Sequence, residues 1–303
     1  MKIIVTGSTG LIGSALVASL IARGDEVTRL VRKASGGTGA DATREIPWNP
    51  ERGELDAASL EGHDAAVHLA GDPIAEGRWT DEKKRRIRES RTKGTMLLAA
   101  TLARLAAPPR VLLSASAVGY YGDRNAEVLT EESATGGDFL ADVCRDWESA
   151  TEAARAAGIR VVKLRLGVVL SGTGGALLKM LTPFKMGVGG KIGSGDQYMS
   201  WIALEDVIGA IRHVLAHEEV EGAVNVVAPH AVTNAEFTKT LGRVLGRPTL
   251  FAVPAFAARL AFGELADAAL LVSQRVEPAR LLATNYQFRY PELEGALRHA
   301  LAE

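Results

Sequence analysis

Three glycines between an apolar segment and a helical pattern constrain this chain more than any other feature. Ile3-Ile4-Val5 is short, apolar and β-branched, and it leads into Gly7-Ser8-Thr9-Gly10-Leu11-Ile12-Gly13. Apolar residues then recur at helical spacing from Leu11 to Arg23, and Gly24 follows as a C-terminal cap. The pattern predicts a buried strand, a tight turn and a helix that begins inside the glycine loop.

The alternation of strand and helix patterns continues to about residue 170. Further strands are predicted at 26–31, 65–69, 111–113 and 159–166, and helices at 81–107 and 139–157. Strands and helices of these lengths imply right-handed βαβ crossovers, and hence a parallel sheet covered by helices on both faces. We therefore predict an α/β protein with a Rossmann-type, doubly wound parallel sheet.

The pattern changes after residue 170, where residues 171–195 are rich in glycine. Helices at 205–217 and 233–245 and a short strand at 223–227 are predicted beyond it. We predict a Rossmann domain over 1–170 and a smaller C-terminal α/β lobe over 171–303, interwoven with the first. Residues 34–43, rich in Gly, Ser, Thr and Ala, are predicted to form a loop.

Composition excludes several classes of function. The 303 residues carry a net charge of −1, so nothing attracts the chain as a whole to nucleic acid or acidic membranes. The single cysteine, Cys144, precludes an internal disulfide and fits a reducing compartment. No apolar run is long enough for a bilayer and no signal peptide is evident. We expect a cytoplasmic protein without nucleic-acid or membrane partners, and its oligomeric state is left open.

The glycine loop predicts a phosphate site. Gly7 permits the tight turn off the strand, Gly10 lets a pyrophosphate approach the backbone, and Gly13 lets the helix pack on the strand. The helix N-terminus offers free N–H groups and a partial positive charge. The residues predicted to hold a dinucleotide here are Gly7, Ser8, Thr9, Gly10, Leu11, Ile12 and Gly13.

The end of the second predicted strand, Leu30-Val31-Arg32-Lys33, indicates which dinucleotide is bound. A site specific for NAD usually places Asp or Glu here, where the carboxylate binds the ribose 2′-hydroxyl. A carboxylate would repel a 2′-phosphate, whereas Arg32 can bind one with two parallel hydrogen bonds. Arg32 and Lys33 therefore favour NADP over NAD; the alternative is that both are solvated surface charges.

Further motifs connect the chain with a known superfamily. The Gly-x-x-Gly-x-x-Gly loop is followed by His68-Leu69-Ala70-Gly71, then by Leu113-Ser114-Ala115-Ser116 and Tyr120-Tyr121-Gly122. In this order the motifs resemble those of the extended short-chain dehydrogenase/reductase superfamily.

One atypical subgroup of that superfamily is resembled over essentially the whole chain. Its members are called epimerase family proteins or cell division inhibitors, and they have an uncharacterised C-terminal domain. The resembling stretches include Gly77-Arg78-Trp79, Ser90-Arg91, Gly136-Gly137-Asp138-Phe139, Trp147-Glu148, Arg165-Leu166-Gly167-Val168-Val169-Leu170, Gly193-Ser194-Gly195, Ser200-Trp201-Ile202 and Thr233-Asn234.

The resemblance implies an oxidoreductase or epimerase-like enzyme whose substrate is a nucleotide sugar or another small carbonyl or hydroxyl compound. It places Leu69, Ala70 and Gly71 beside the adenosine ribose and Val169 near the nicotinamide. It also implies that Arg91, on the long helix, reaches the cofactor phosphates. The alternative for Arg91 is a salt bridge on the helix surface.

The chain departs from the superfamily at the proton donor. Most members have a tyrosine with a lysine four residues later, but no lysine here follows a tyrosine at that spacing. The resemblance places Leu140 and Cys144 at those two positions. Ser116, Tyr120 and Tyr121 are the candidates that remain: the serine could bind a substrate carbonyl, and a tyrosine with a nearby cation could donate a proton. The alternative is that both tyrosines only pack against the site wall.

Two function hypotheses follow. The first is an NADP-dependent oxidoreductase or epimerase-like enzyme with a non-standard proton donor; the second is a non-catalytic protein that senses NADP(H). The spacing of His213 and His217 indicates a helix face rather than a metal pair, and the basic run at 83–88 indicates a solvated helix face. The glycine-rich segment 187–195 is either a flap that closes over a ligand or a surface loop.

Overall fold

The computed structural model describes residues 1–33 and 43–302, so most of the predicted loop at 34–43 lies outside the described residues. The strands are β1 Lys2–Thr6, β2 Glu26–Val31, β3 Thr43–Asn49, β4 Glu54–Leu55, β5 Ala65–His68, β6 Val111–Ala117, β7 Val128–Leu129, β8 Arg160–Leu166, β9 Val168–Leu170, β10 Gly190–Ile192, β11 Tyr198–Met199, β12 Trp201–Ala203, β13 Gly222–Val226, β14 Val232–Thr233, β15 Phe251–Val253 and β16 Arg275–Val276. The helices are α1 Leu11–Ala22, α2 Asp81–Leu102, α3 Phe139–Ser149, α4 Glu152–Ala156, α5 Gly175–Lys185, α6 Leu204–Ala216, α7 Asn234–Leu245, α8 Ala255–Phe262, α9 Ala279–Ala283 and α10 Leu293–Ala300.

Eight of the described strands form one sheet in the order β13-β8-β6-β5-β1-β2-β3-β4. Neighbouring strands run parallel, except that β4 is antiparallel to β3. The chain proceeds from β1 toward β2 on one side and from β5 toward β6 on the other, so the winding direction reverses between β1 and β5. The predicted doubly wound α/β fold is confirmed, and ligands bind such sheets at this reversal, beyond the carboxyl ends of the strands.

Alternate side chains of the central strands feed two apolar layers. Ile3 and Val5 point toward α1 and α6, where they pack in a cluster with Leu16. Ile4 points to the opposite face and packs with Leu98 of α2. Because helices cover both faces, consecutive residues of the central strands are apolar, as in the runs Ile3-Ile4-Val5 and Val111-Leu112-Leu113.

Two helices are shorter than their sequence patterns predict. The helix predicted at 81–107 ends at Leu102, and the carboxylate of Glu61 accepts the N–H groups of Ala106 and Ala107 at 2.9 and 2.8 Å. The pattern at 139–157 is divided into α3 and α4, and the Thr151 hydroxyl donates to the Glu148 carbonyl at the break, at 2.7 Å. Side-chain hydrogen bonds to the backbone stop both helices where apolar periodicity alone continues.

The chain after residue 170 adds a strand to the main sheet, because β13 pairs with β8. Where one domain ends and the next begins stays a prediction. The glycine-rich segment is held in place by strand pairing, since β10 pairs with β15. A Cβ on Gly190 would lie only 1.8 Å from the Phe251 carbonyl oxygen, so glycine allows this close pairing.

The charged and histidine-bearing helix faces are engaged within the chain. All five cations of the run at 83–88 form ion pairs: Lys83 and Arg86 with Asp72, Lys84 with Glu264, Arg85 with Glu82, and Arg88 with Asp146. His213 is 2.8 Å from the Thr284 hydroxyl. Across 1–33 and 43–302, no helix has both the length and the apolar character needed to cross a membrane.

Candidate functional site

The glycine loop lies against the loop that follows β5. Gly7 has φ +65°, and a Cβ there would be 2.7 Å from the carbonyl carbon of Leu69. A Cβ on Gly13 would be 2.1 Å from the Gly7 carbonyl oxygen. Both positions therefore exclude any larger residue, and they bring the predicted pyrophosphate loop into contact with the predicted ribose loop.

The N-terminus of α1 is left without a side-chain cap. Its N-cap residue is Gly10, and its first turn contains no acidic residue. The first backbone bond back into the helix runs from the Ser14 N–H to the Gly10 carbonyl at 2.9 Å, so the amides of Leu11, Ile12 and Gly13 precede it. An uncapped N-terminus with free amides and an uncompensated dipole is suited to a phosphate group.

A buried hydrogen-bond chain fixes the loop after β5. The Thr6 hydroxyl lies 2.7 Å from Nδ1 of His68 and accepts the N–H groups of Leu69 and Ala70 at 3.2 and 3.3 Å. Nε2 of His68 lies 2.9 Å from the Thr95 hydroxyl. Burial lowers the pKa of His68 to about 4, so the ring is neutral at physiological pH. The backbone of the predicted ribose loop is thereby held in one position.

Three cations lie in β2 or directly after its end, where the 2′-phosphate position is predicted. Arg32 and Lys33 are exposed there, as the cofactor hypothesis requires. The sequence hypothesis did not include Arg29, whose Nε donates to the Ser8 hydroxyl at 3.1 Å. The Arg29 guanidinium also pairs with Glu45, with Nη1 and Oε1 3.1 Å apart.

Arg91 lies beneath the loop that follows β5. Its Nη1 donates to the carbonyls of Asp72 and Ile87 at 3.1 and 3.0 Å, and its guanidinium stacks on the Trp147 ring at 5.1 Å. A Cβ on Gly71 would be 3.5 Å from the guanidinium carbon of Arg91. The side chain thus supports the loop backbone from below, and neither contact is the surface salt bridge that was the alternative.

The carboxyl ends of β6, β8 and β13 meet in a buried polar network. Ser116 donates to Oε1 of Glu148 at 2.8 Å. Arg165 binds the same carboxylate through two bonds, Nε to Oε1 at 2.8 Å and Nη2 to Oε2 at 3.0 Å. Arg165 Nη1 also donates to the Tyr121 hydroxyl at 2.9 Å, and that hydroxyl donates to Asn225 at 2.6 Å.

Electrostatics in this network follow from burial and pairing. Burial opposes the charge on Arg165, but the hydrogen bonds and charge of Glu148 outweigh it and raise the pKa of the guanidinium. Burial raises the pKa of Tyr121 to about 12 despite the nearby cation. Tyr121 is fully buried, and its hydroxyl both accepts a hydrogen bond from Arg165 and donates one to Asn225. Its environment is therefore that of a structural residue.

Tyr120 differs from its neighbour. Its side chain is half-buried, and its ring lies under the Arg165 guanidinium, with 3.5 Å from the guanidinium carbon to the ring centroid. Within the described ranges its hydroxyl makes no hydrogen bond, whereas those of Ser116 and Tyr121 do. The cation that lies near a candidate tyrosine is therefore Arg165.

Leu140 and Cys144 lie where the superfamily resemblance places the missing pair, facing the end of β6. A Cβ on Gly119 would be 3.5 Å from the Leu140 Cβ and 3.9 Å from the Cys144 sulfur. Burial raises the pKa of Cys144 to about 12, so the thiol is protonated and inert. Neither residue offers a proton donor.

Val169, in β9, is brought toward the glycine loop by the segment that follows it. A Cβ on Gly175 would be 3.1 Å from the Leu11 side chain and 3.7 Å from the Val169 carbonyl oxygen. The start of α5 thus packs on the first residue of α1. Val169 is therefore linked to the end of the glycine loop through Gly175, which lies close to both.

Sequence reasoning missed the pairing of Glu148 with Arg165 and the position of Asn225. Trp147-Glu148 and the stretch beginning at Arg165 were both noted, but nothing in the local pattern links residues 17 positions apart. The strand register accounts for Asn225, because Ser116 and Asn225 both lie opposite Arg165 on neighbouring strands. Glu148 reaches the same guanidinium from α3, which strand register does not specify.

A reversal point in a parallel sheet, a glycine loop and an uncapped helix define a Rossmann protein of the short-chain dehydrogenase/reductase type. A sequence profile of the NAD dependent epimerase/dehydratase family matches residues 3–227, and a profile of a domain of unknown function matches 253–300. The chain belongs to the NAD dependent epimerase/dehydratase family, and the predicted resemblance is confirmed.

Relatives cover the whole chain. An epimerase family protein of Mycobacterium bovis is 45% identical over 98% of this chain and 96% of its own length. The crystal structure of human epimerase family protein SDR39U1 with NADPH matches with a TM-score of 0.88 and 36% identity, covering 100% of both chains. A nucleoside-diphosphate sugar epimerase from Corynebacterium glutamicum matches with a TM-score of 0.81 and 40% identity, over 99% of this chain and 58% of that one.

Proposed function

We propose that this protein binds NADP(H) at the glycine loop and catalyses an oxidoreductase or epimerase-like reaction with Tyr120 as the proton donor. Two features beyond the carboxyl ends of strands in the same sheet carry the proposal: the uncapped start of α1 after β1, and Tyr120 after β6, whose hydroxyl is not engaged within the described chain. The human relative crystallised with NADPH supports the choice of cofactor. Residues 1–170 would supply the cofactor site and 171–303 the substrate side, in a reducing cytoplasm that suits the one buried thiol.

Named residues would hold each part of the cofactor. The amides of Leu11, Ile12 and Gly13 would bind the pyrophosphate, and Arg32 with Lys33 the 2′-phosphate. Leu69, Ala70 and Gly71 would border the adenosine ribose, supported from below by Arg91. Ser8, Thr9, Gly10 and Gly7 shape the loop, and Val169 borders the nicotinamide side. A bound NADPH supplies a hydride to a carbonyl carbon.

Tyr120 would donate its hydroxyl proton to the carbonyl oxygen as that oxygen becomes a hydroxyl. A positioned proton donor contributes roughly 10²–10⁴-fold to such reactions. The Arg165 guanidinium stacks on the Tyr120 ring and holds it in place. Ser116 and Tyr121 act as positioning residues, because Ser116 orients Glu148 and Tyr121 orients Arg165.

The substrate class we propose is a small carbonyl or hydroxyl compound, with nucleotide sugars as the first candidates. The relative from Corynebacterium glutamicum, whose name specifies a nucleoside-diphosphate sugar, supports this choice. The test is a panel of nucleotide sugars and small carbonyls, with NADPH consumption and epimer formation measured for the wild type, Tyr120→Phe and Tyr121→Phe.

We expect Tyr120→Phe to bind NADPH as the wild type does while turnover falls by roughly 10²-fold or more. Tyr121→Phe should instead lower stability, because the buried side chains of Arg165 and Asn225 each lose the hydrogen bond that the Tyr121 hydroxyl makes with them. Full turnover by Tyr120→Phe would contradict its role, and a wild-type protein that binds no nicotinamide nucleotide would contradict the proposal as a whole.

A second candidate function is sensing of NADP(H) without catalysis. It is favoured by one observation: Leu140 and Cys144 stand where a proton-donating pair would be, and neither can serve. Complementation in cells separates the two. Survival of function in Tyr120→Phe together with its loss in Gly10→Asp, which blocks the phosphate site, would favour sensing.

A further inference from the structure

Arg29 occupies a position that connects the glycine loop with the outer strands of the sheet. It lies in β2, two residues before the strand ends, directly opposite Glu45 of β3. Its Nε donates to Ser8 in the glycine loop and its Nη1 faces the Glu45 carboxylate, each over 3.1 Å. The side chain is 23% exposed, so its charge is only partly screened by water.

A carboxylate near the adenosine ribose discriminates against a 2′-phosphate, and Arg29 links Glu45 to Ser8 of the glycine loop. Glu45 is brought to this side of the sheet by the β2–β3 pairing, and its side chain is 19% exposed. The Arg29 guanidinium neutralises this carboxylate at short range. Ser8, which is itself buried, ties the same guanidinium to the loop that would hold the pyrophosphate.

We propose that Arg29 is a specificity-determining residue: by offsetting the charge of Glu45 and holding Ser8, it lets the ribose site accept a 2′-phosphate. Arg32 and Lys33 then attract that phosphate from the exposed end of β2. This inference rests on the proposed binding of NADP(H). It adds that the cofactor preference is set by a charge balance beneath the site as well as by the cations at the strand end.

A purely structural role for Arg29 makes a different prediction. NADPH and NADH share the pyrophosphate, both riboses and the nicotinamide, and they differ only in the 2′-phosphate. Loss of a loop tether would therefore weaken both alike. A change in local charge acts almost entirely on the nucleotide that carries the additional phosphate.

The experiment measures the dissociation constants of NADPH and NADH with the full-length protein at low salt, by fluorescence titration. The variants are Arg29→Leu, Arg29→Lys, Glu45→Gln and the double variant Arg29→Leu/Glu45→Gln. Arg23→Leu is the matched control, because Arg23 pairs with Asp25 at the end of α1 away from the glycine loop. Thermal unfolding of each variant confirms that it is folded.

We expect Arg29→Leu to lower the preference for NADPH over NADH roughly tenfold. Arg29→Lys should retain most of it, and Glu45→Gln should raise it by roughly threefold to tenfold. The double variant should return close to the wild-type preference because the local charge balance is restored. Arg23→Leu should leave the preference unchanged.

Equal weakening of both nucleotides by Arg29→Leu would overturn the inference, and so would a loss of NADPH preference in Glu45→Gln. If Arg29→Leu fails to fold, Glu45→Gln still tests the inference. It is expected to raise the preference for NADPH over NADH, whereas structural damage to the site would not raise it. A wild-type protein that binds neither nucleotide would overturn the proposed function together with this inference. One that binds NADPH with an unaltered preference in the variants overturns this inference alone.

Discussion

The buried pair of Glu148 and Arg165 offers the sharpest test of how the site is held together. Only 8% of the Glu148 side chain and 5% of the Arg165 side chain is exposed. Glu148 accepts two hydrogen bonds from Arg165 and one from Ser116. The substitution Glu148→Gln keeps the shape of the side chain and removes its charge, so Arg165 remains buried without a counter-ion.

The expected loss can be worked from these contacts. Removing one partner of a buried ion pair costs about 3–5 kcal/mol, because the other charge stays desolvated. A glutamine oxygen in the place of Oε1 can still accept two of the three bonds, which places the loss near the lower limit, at about 3 kcal/mol. With a urea dependence of roughly 3 kcal/mol per molar, the unfolding midpoint should fall by about 1 M.

Urea unfolding followed by circular dichroism measures this shift. Glu152→Gln is the matched control, since Glu152 pairs with Arg155 over a similar distance but both side chains are more than half exposed. That variant should leave the midpoint unchanged within error. If Glu148→Gln shifts the urea midpoint no further than Glu152→Gln does, the network does not stabilise the site. Glu148 would then not be the residue that holds Arg165 in place over Tyr120.

Two further predictions concern buried titratable groups. The pKa of His68 falls from 6.5 to about 4 on folding. Between these two pH values the imidazole is therefore protonated in the unfolded chain and neutral in the folded chain. The free energy of unfolding measured in urea should therefore drop by about 2 kcal/mol between pH 7 and pH 5. This drop should be absent in His68→Gln. It should persist in the control His230→Gln, whose side chain is exposed. Cys144 should resist a disulfide reagent at pH 8 in the native protein and react fully in denaturant, because burial raises its pKa to about 12; rapid reaction of the native thiol would show that α3 does not bury it.

Much of the fold was predictable because its signals are local. The strand predicted at Ile3-Ile4-Val5 lies within β1 and the one predicted at 26–31 coincides with β2, because a short apolar run bounded by turn residues is typical of a buried strand. The glycine loop was equally predictable, because Gly7 has a positive φ and Gly13 packs on the backbone of Gly7, six residues earlier. Helix ends were predicted less well, as at Leu102, since their stops depend on partners far along the chain such as Glu61.

The candidate site divides along the same line. The sequence by itself determined the dinucleotide loop, the cations Arg32 and Lys33 and the lack of a tyrosine–lysine pair, because each is a matter of residue type at a fixed spacing. Only the tertiary structure decided which polar side chains form hydrogen bonds within the protein. Ser116 bonds to Glu148, and Tyr121 bonds to both Arg165 and Asn225. Such choices depend on strand register and burial, which bring together residues up to 104 positions apart and leave Tyr120 alone with an unengaged hydroxyl within the described chain.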